Sequence, residues 1–502
     1  MRADCVVIHP DDNVAVATRP LASGETVFAG AVRLLVRNKV PFGHKLAICA
    51  VPAGSHVTKY GRPIGRALQD IQQGVHVHIH NCRSERDVPQ YAVDPAAVAA
   101  AWRGIDRCDI TINGWPDDSG LTGYPRSHGR PGIRNHVLVL PAVQCANGVV
   151  DRISREIAGV VTIPHIYGCS QVAPDLAQTV RVLEGFATHP NVGATLLVAL
   201  GCEEVPFERL AARIAESGRP SALVVIQEVG GSQAAFDRAR SILREFDEEL
   251  CDARRAPIDV ADLLIGLECG GSDAWSGVTA NPAVGRACDR LVAAGGSAIL
   301  AEVTEFIGAE HLLAQQAESA EVARRIAEVV YRRERGLIER GVDLRGAQPA
   351  PGNIAGGLTT LEEKSLGAIA KGGSTLVREV IAYSHVPSRQ GLLIMDTAGN
   401  DPESVTGMVA AGAQAVLFTT GRGSPSGCPI APVVKIATNT PMFAALRDDM
   451  DVDAGSILGG EPIDSVGERI LVELINVVNG QLTCAERWGH QEFAIEAVAP
   501  RV

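Results

Sequence analysis

From Gly123 onward, apolar runs long enough for one strand alternate with amphipathic helical patterns, and no other feature constrains the fold as tightly. The runs cover residues 136–143, 194–200, 221–226, 261–267, 297–301, 391–395 and 414–418. Helical patterns fall between them at 175–186, 207–216, 235–250 and 317–335. Strands that are apolar throughout, separated by helices, predict mostly parallel sheets covered on both faces. The charged stretch 245–257 reads as the border between two such α/β units.

The first ~90 residues have a different texture. Short β segments at 13–17 and 46–51 are broken by turn signals at 21–24, 41–43 and 52–54, which predicts a small β-rich domain. A helical-looking Ala-rich stretch at 95–101 then leads into residues rich in Gly, Asp and Pro. At 502 residues the chain exceeds what one core of ~250–300 residues supports. The expected division is a β domain over 1–95, a linker or wrapping arm over 96–122, a second α/β domain over 123–256 and a C-terminal α/β domain over 257–502.

Charge and cysteines exclude several classes. With 46 Lys and Arg against 58 Asp and Glu, the net charge is −12 and no basic block exists, so neither nucleic acid nor an anionic membrane is an expected partner. No apolar run approaches the ~18 residues of a membrane span, and Met1-Arg2-Ala3-Asp4 opens no signal peptide; a cytoplasmic location is expected. None of the 12 cysteines forms a C-x-x-C, so zinc-ribbon and thioredoxin-type readings fail on spacing. The bland alternative is buried thiols serving as small hydrophobes.

In open α/β sheets, ligands bind beyond the carboxyl ends of the strands. Those positions hold Cys145, Cys169, Cys202-Glu203, Glu268-Cys269-Gly270-Gly271-Ser272-Asp273, Glu302, Glu305, Asp396, Asp401 and Gly421-Arg422-Gly423. Thiol, imidazole and carboxylate together are the ligand set of Fe²⁺, Zn²⁺ or Mn²⁺. Arg422 between two glycines suits a planar carboxylate gripped bidentately, while an ion-paired surface loop is its ordinary alternative. His76, His78 and His80 alternate, so on a strand they share one face, and Gly43-His44-Lys45 adds another imidazole. G-x-G-x-x-G, G-x-x-x-x-G-K-[ST] and G-x-S-x-G are absent, which weighs against nucleotide binding and a serine-hydrolase elbow.

The motifs Gly-His-Lys at 43–45, Lys-Tyr-Gly at 59–61, His-Ile-His-Asn at 78–81 and Gly-Arg-Pro-Gly-Ile-Arg-Asn at 129–135 resemble the altronate/galactarate dehydratases. So do Tyr-Gly-Cys-Ser-Gln at 167–171, Leu-Gly-Cys-Glu at 200–203, Glu-Cys-Gly-Gly-Ser-Asp at 268–273, Ser-Gly-Val-Thr-Ala-Asn-Pro at 276–282 and Glu-Lys-Ser-Leu-Gly at 363–367. Thr-Gly-Arg-Gly at 420–423 and Lys-Ile-Ala-Thr-Asn at 435–439 continue the match, which runs in order from about residue 10 to about residue 490 and leans toward the altronate branch. Two positions depart from the family pattern: Ile354 where Lys is usual, and Ser426 where Tyr is common.

The resemblance implies a SAF-like N-terminal domain and a divalent-metal-dependent, often iron-activated dehydration of sugar acids to 2-keto-3-deoxy acids. Under it, Cys169, Cys202, Glu203, Cys269 and Asp273 are expected as metal ligands, Arg422 and Lys45 as a carboxylate clamp, and His44, His78 or His80 as acid or base. Asn81, Arg134, Asn135, Ser272, Asn281, Gly421 and Gly423 are expected against the substrate. Fe²⁺ is the expected ion, with Mn²⁺ or Zn²⁺ as substitutes and an iron–sulfur cluster left open. A homodimer is expected. The competing readings are a sulfolactate sulfo-lyase-type C–S lyase and a non-catalytic sugar-acid binding protein.

Overall fold

The computed structural model describes residues 4–86, 95–102, 115–116, 120–343 and 348–498. Most of the expected 96–122 arm, at 103–114 and 117–119, lies outside the described residues, although the helix Pro95–Ala101 is present.

The N-terminal residues form a six-stranded sheet and a three-stranded sheet. Val14–Ala17 is central in the larger one and pairs antiparallel with Lys45–Ala47. The expected strand at 46–51 is shortened to Lys45–Ala47: Ile48 turns its N–H to Asn13, and Val51 bridges separately to Ile71. The histidine triplet also differs from expectation. Only His76–Val77 is a strand, because Asn81 folds the next residues into a tight turn, accepting from the His78 N–H and donating to the His76 carbonyl.

The second unit carries a four-stranded parallel sheet in the order Val160–Thr162, His136–Pro141, Val192–Ala199, Ser221–Val225. The C-terminal unit carries a seven-stranded, all-parallel sheet. Its central strand Leu264–Gly270 is flanked by Ser297–Leu300 and Ala415–Thr420 and is buried along its whole length. The sequence predicts this strand from residue 261, but Asp259 and Asp262 cap a 3₁₀ turn at Val260–Asp262 and delay its start. Glu268 and Cys269 consequently sit within the strand, on opposite faces, and not in the loop beyond it. Two strands of this sheet, Val377–Ile381 and Val433–Ala437, carry charges that hide them from an apolar-run reading.

Glu363 fastens the N-terminal domain to the C-terminal one. Its carboxylate lies 2.8 Å from both Lys45 Nζ and Lys59 Nζ, and all three side chains are fully buried. Lys45 also donates to the Gly357 carbonyl at 2.7 Å, and Lys59 to that of Ala274 at 3.3 Å. Burial alone would raise the Glu363 pKa, but the two ammonium groups hold it down to about 2. Arg86 adds a second fastener, pairing with Glu310 and Glu334.

Glu363→Gln leaves two buried ammonium groups uncompensated and should destabilise the chain by about 3–5 kcal/mol, measured by thermal or denaturant unfolding. Because the folded carboxyl pKa lies below its ordinary value of 4.5, this stabilisation is present above ~pH 4.5 and disappears as pH falls toward 2. A Glu363→Gln protein as stable as the parent, or with an unchanged acid transition, would contradict the assignment.

Candidate active site between the N-terminal and C-terminal domains

Four imidazoles gather where the N-terminal domain meets the C-terminal one. His44 Nδ1 and His76 Nε2 are 3.0 Å apart, and the His44 and His78 ring centroids are separated by 4.6 Å. One ligand nitrogen from each of His44, His76 and His78 falls within 4.8 Å of the others. Two nitrogens at right angles on one ion, each ~2.1 Å from it, would themselves be ~3.0 Å apart, so the trio fits a divalent cation. Burial is the main cause that lowers all three pKa values, His76 to about 3 and His78 to about 4, leaving neutral rings, each with one unprotonated nitrogen; in this structure His44 Nδ1 and His76 Nε2 share a hydrogen bond. His80 is exposed, its ring centroid 5.3 Å from that of His76.

The opposing wall is the Pro351–Ala355 turn and the residues after it. His44 Nε2 lies 3.4 Å from the Ala355 carbonyl, and His78 Nδ1 lies 3.2 Å from Thr359 Oγ1. Asn353 ties this wall to the large sheet by donating to the Ser272 carbonyl at 2.8 Å and accepting from Lys364 at 3.3 Å. Lys364 in turn pairs with Glu305 at 2.8 Å. Thus the histidines and the carboxyl ends of the large sheet face a common set of residues.

Beneath that wall lies a buried network. The Cys269 thiol donates to Glu305 at 3.3 Å and accepts from Lys371 at 2.8 Å, and Lys371 reaches Glu302 at 2.5 Å. Burial first, and then Glu302 and Glu305, push the Cys269 pKa well up, so the thiol keeps its proton. Burial opposes the charge on Lys371, yet Cys269 and Glu302 outweigh it and the ammonium persists. Glu302 occupies the left-handed region at φ 68°, unusual for a residue with a side chain, and this aims its carboxylate at the Cys269 N–H, 3.0 Å away. Cys269, Glu302 and Glu305 would also fit an ion by proximity, and Glu302 Oε1 and Glu268 Oε1 lack partners. Lys371 already supplies a cation there, which leaves the histidine trio as a second group that could hold an ion.

The five residues expected as metal ligands do not form one group. Cys269 joins the carboxylates just described, whereas Cys169, Cys202 and Glu203 lie at the end of the second sheet. Glu203 spends its carboxylate on the N–H groups of Leu200, Gly201 and Cys202, a loop-forming role. Asp273 accepts from Trp275, Ser276, Thr438 and Asn439, which leaves little for a metal.

Several expected substrate contacts are likewise committed elsewhere. Arg134 forks onto Glu486 and donates to the carbonyls of Ile133, Val477 and Gln481, and Asn135 accepts from Arg126. Asn281 bridges Gly367 and Thr419, Asn81 shapes the histidine turn, and Lys45 is the buried partner of Glu363 rather than a clamp. Ser272 is buried with its carbonyl held by Asn353.

The arginine loop does border the site. Gly421 lies so close to Asp273 that a Cβ there would be 2.3 Å from its Cγ, so only glycine permits this approach. Gly423 donates its N–H to Thr420 Oγ1, shaping the loop around Arg422. Arg422 packs its Cβ near Gly271, is exposed, and has no ion pair among the described residues. Lys371 and the Lys59–Glu363 pair escape sequence reasoning; the available signal is a lone cation in an apolar or glycine-rich stretch, as in Ala368-Ile369-Ala370-Lys371-Gly372-Gly373.

Comparison with known proteins agrees with this organisation. Residues 3–85 match the altronate/galactarate dehydratase SAF domain, 123–251 the D-galactarate dehydratase/altronate hydrolase second domain, and 260–500 the D-galactarate/altronate dehydratase C-terminal domain. The chain is 36% identical over 503 residues to altronate dehydratase of Escherichia coli (strain K12), covering 98% of each. It is 33% identical over 520 residues to galactarate dehydratase (L-threo-forming) of the same organism, covering 99% of this chain and 97% of that one. The beta subunit of (2R)-sulfolactate sulfo-lyase from Chromohalobacter salexigens is 36% identical over 377 residues, covering 74% of this chain and 96% of the subunit. End-to-end likeness to proteins that eliminate water, over a fold that joins a SAF domain to two parallel-sheet units, shows that the chain belongs to the altronate/galactarate dehydratase family and is a hydro-lyase.

Proposed function

We propose that the chain converts a sugar acid of the D-altronate or galactarate type to a 2-keto-3-deoxy acid at the interface of its N-terminal and C-terminal domains, with iron(II) held by His44, His76 and His78. The observation that carries this reading is the trio of neutral imidazoles within 4.8 Å of one another, facing a wall anchored to the large sheet. The ion, for which Mn²⁺ or Zn²⁺ could substitute, would supply positive charge beside the substrate carboxylate and its α-hydroxyl.

The chemical difficulty is a C2 proton beside a carboxylate, whose removal builds up negative charge. Arg422, free of any ion pair among the described residues, grips the carboxylate through two parallel N–H donors. His80, the imidazole outside the trio, takes the C2 proton. The Lys364–Glu305–Cys269 network, which holds both an ammonium and a protonated thiol, supplies the proton on which the C3 hydroxyl departs as water. The resulting enol then ketonises to the product.

The dehydratases align as single chains across 98–99% of this chain, whereas the sulfo-lyase divides the match between a beta subunit (74% of this chain) and an alpha subunit (17%); the single-chain organisation supports loss of water over loss of sulfite. Anaerobic protein given Fe²⁺ should form a 2-keto-3-deoxy acid from D-altronate or galactarate. Sulfite release from sulfolactate, or ligand-induced thermal stabilisation with no turnover, would overturn this reading.

His76→Ala should weaken iron binding by more than about a hundredfold, measured by metal titration, since losing even the outer partners of metal ligands costs 10–100-fold. Unchanged iron affinity would remove the ion from this position. Arg422→Ala should raise KM for the sugar acid about tenfold or more without lowering Tm, because the side chain is exposed. An unchanged KM would remove the clamp.

A further inference from the structure

The second domain contains a feature that the dehydration site leaves unused. Its sheet runs Val160–Thr162, His136–Pro141, Val192–Ala199, and each of these three adjacent parallel strands is followed on its carboxyl side by a cysteine: Cys169, Cys145 and Cys202. All three thiols are free; Cys145 and Cys202 are exposed and Cys169 is half-buried. The three loops are stitched into one surface. Gln144 N–H donates to the Tyr167 carbonyl at 2.9 Å, Glu204 N–H to the Gly168 carbonyl at 3.2 Å, and Gln171 N–H to the Glu204 carboxylate at 3.1 Å.

The backbone is specialised around these thiols. Gly168 has φ 99°, and a Cβ there would stand 2.5 Å from the Ala142 carbonyl oxygen, so the Cys169 loop rests directly on the Cys145 loop. Ser170, at φ 55°, is held in a conformation that side-chain-bearing residues seldom adopt. Glu203 gathers three successive N–H groups and thereby fixes the Cys202 loop. Carboxyl ends of adjacent parallel strands are where such folds bind ligands. Cys145 lies in the 3₁₀ turn Gln144–Ala146, and the helix Asn147–Glu156 starts two residues after it, with an N-terminus that favours negative charge.

The spacing argues against a single ion. Thiolates on one tetrahedral ion at ~2.3 Å would lie roughly 3.8 Å apart, and the three sulfurs do not form a group within 4.8 Å. A polynuclear centre accepts wider spacing. We infer that Cys145, Cys169 and Cys202 together hold an iron–sulfur cluster, with one iron left free of protein ligands, at a site separate from the histidine trio. The inference does not depend on the proposed dehydration mechanism.

The test uses the full chain, purified anaerobically and supplied with Fe²⁺ and Fe³⁺ in equal amounts together with sulfide, so that a mixed-valence cluster forms without a further oxidant. Bound iron and acid-labile sulfide are then measured together with visible absorbance. The parent should retain about four sulfide ions per chain and a broad charge-transfer absorbance. Cys145→Ser, Cys169→Ser and Cys202→Ser should each lose the sulfide, while Cys49→Ser, an exposed cysteine of the N-terminal domain, and His76→Ala should keep it. Far-UV circular dichroism of each variant separates loss of the cluster from loss of the fold. A parent that binds no sulfide, one that forms a disulfide among the three, or one that takes up a single zinc ion instead would overturn the inference.

Discussion

A single buried carboxylate, Glu363, sets the geometry on which the rest depends. It stands between Lys45 and Lys59 with no access to water, and both lysines come from the N-terminal domain. Such a triad contributes little net stability, since desolvating three charges offsets most of their attraction. What it specifies is position: an N-terminal domain docked in any other register would leave charges buried and unpaired. Lys45 directly follows His44, so the ion pair that orients the domain also sets an imidazole against the Ala355 carbonyl. The contact that docks the domain therefore also places His44.

Proton placement follows from how each side of the interface is solvated. On the N-terminal side, burial without a carboxylate partner keeps His76 and His78 neutral, a state suited to metal ligation. On the C-terminal side, carboxylates crowd around Cys269 while Lys371 and Lys364 neutralise part of their charge, so the thiol stays protonated and the lysines charged. The two walls thus differ in character: one donates lone pairs and the other holds protons. An elimination that must both stabilise an anion and protonate a leaving hydroxyl needs that difference.

The parallel sheets were legible because their strands are apolar throughout, and 297–301 and 391–395 correspond closely to Ser297–Leu300 and Leu392–Met395. Val433–Ala437 escaped because Lys435 interrupts it, and that lysine is buried over the Phe418 ring. In the site, residue type was readable and arrangement was not. His44 and His78 were singled out, but period-2 alternation could not show that Asn81 bends the chain after Val77. Arg134 and Asn281 belong to family motifs yet spend every polar atom on neighbouring backbone or side chains, a fact visible only once those neighbours are placed. Glu363 and Lys59 are 304 residues apart in the chain, and no local pattern joins them.

The most direct measurement of where the chemistry resides is anomalous X-ray scattering at the iron edge, from anaerobic crystals of the iron-loaded protein soaked with an aldonate. The account predicts an iron peak bounded by His44, His76 and His78, with the sugar-acid carboxylate directed toward Arg422. Density for iron only among Cys269, Glu302 and Glu305, or only in the second domain, would contradict it.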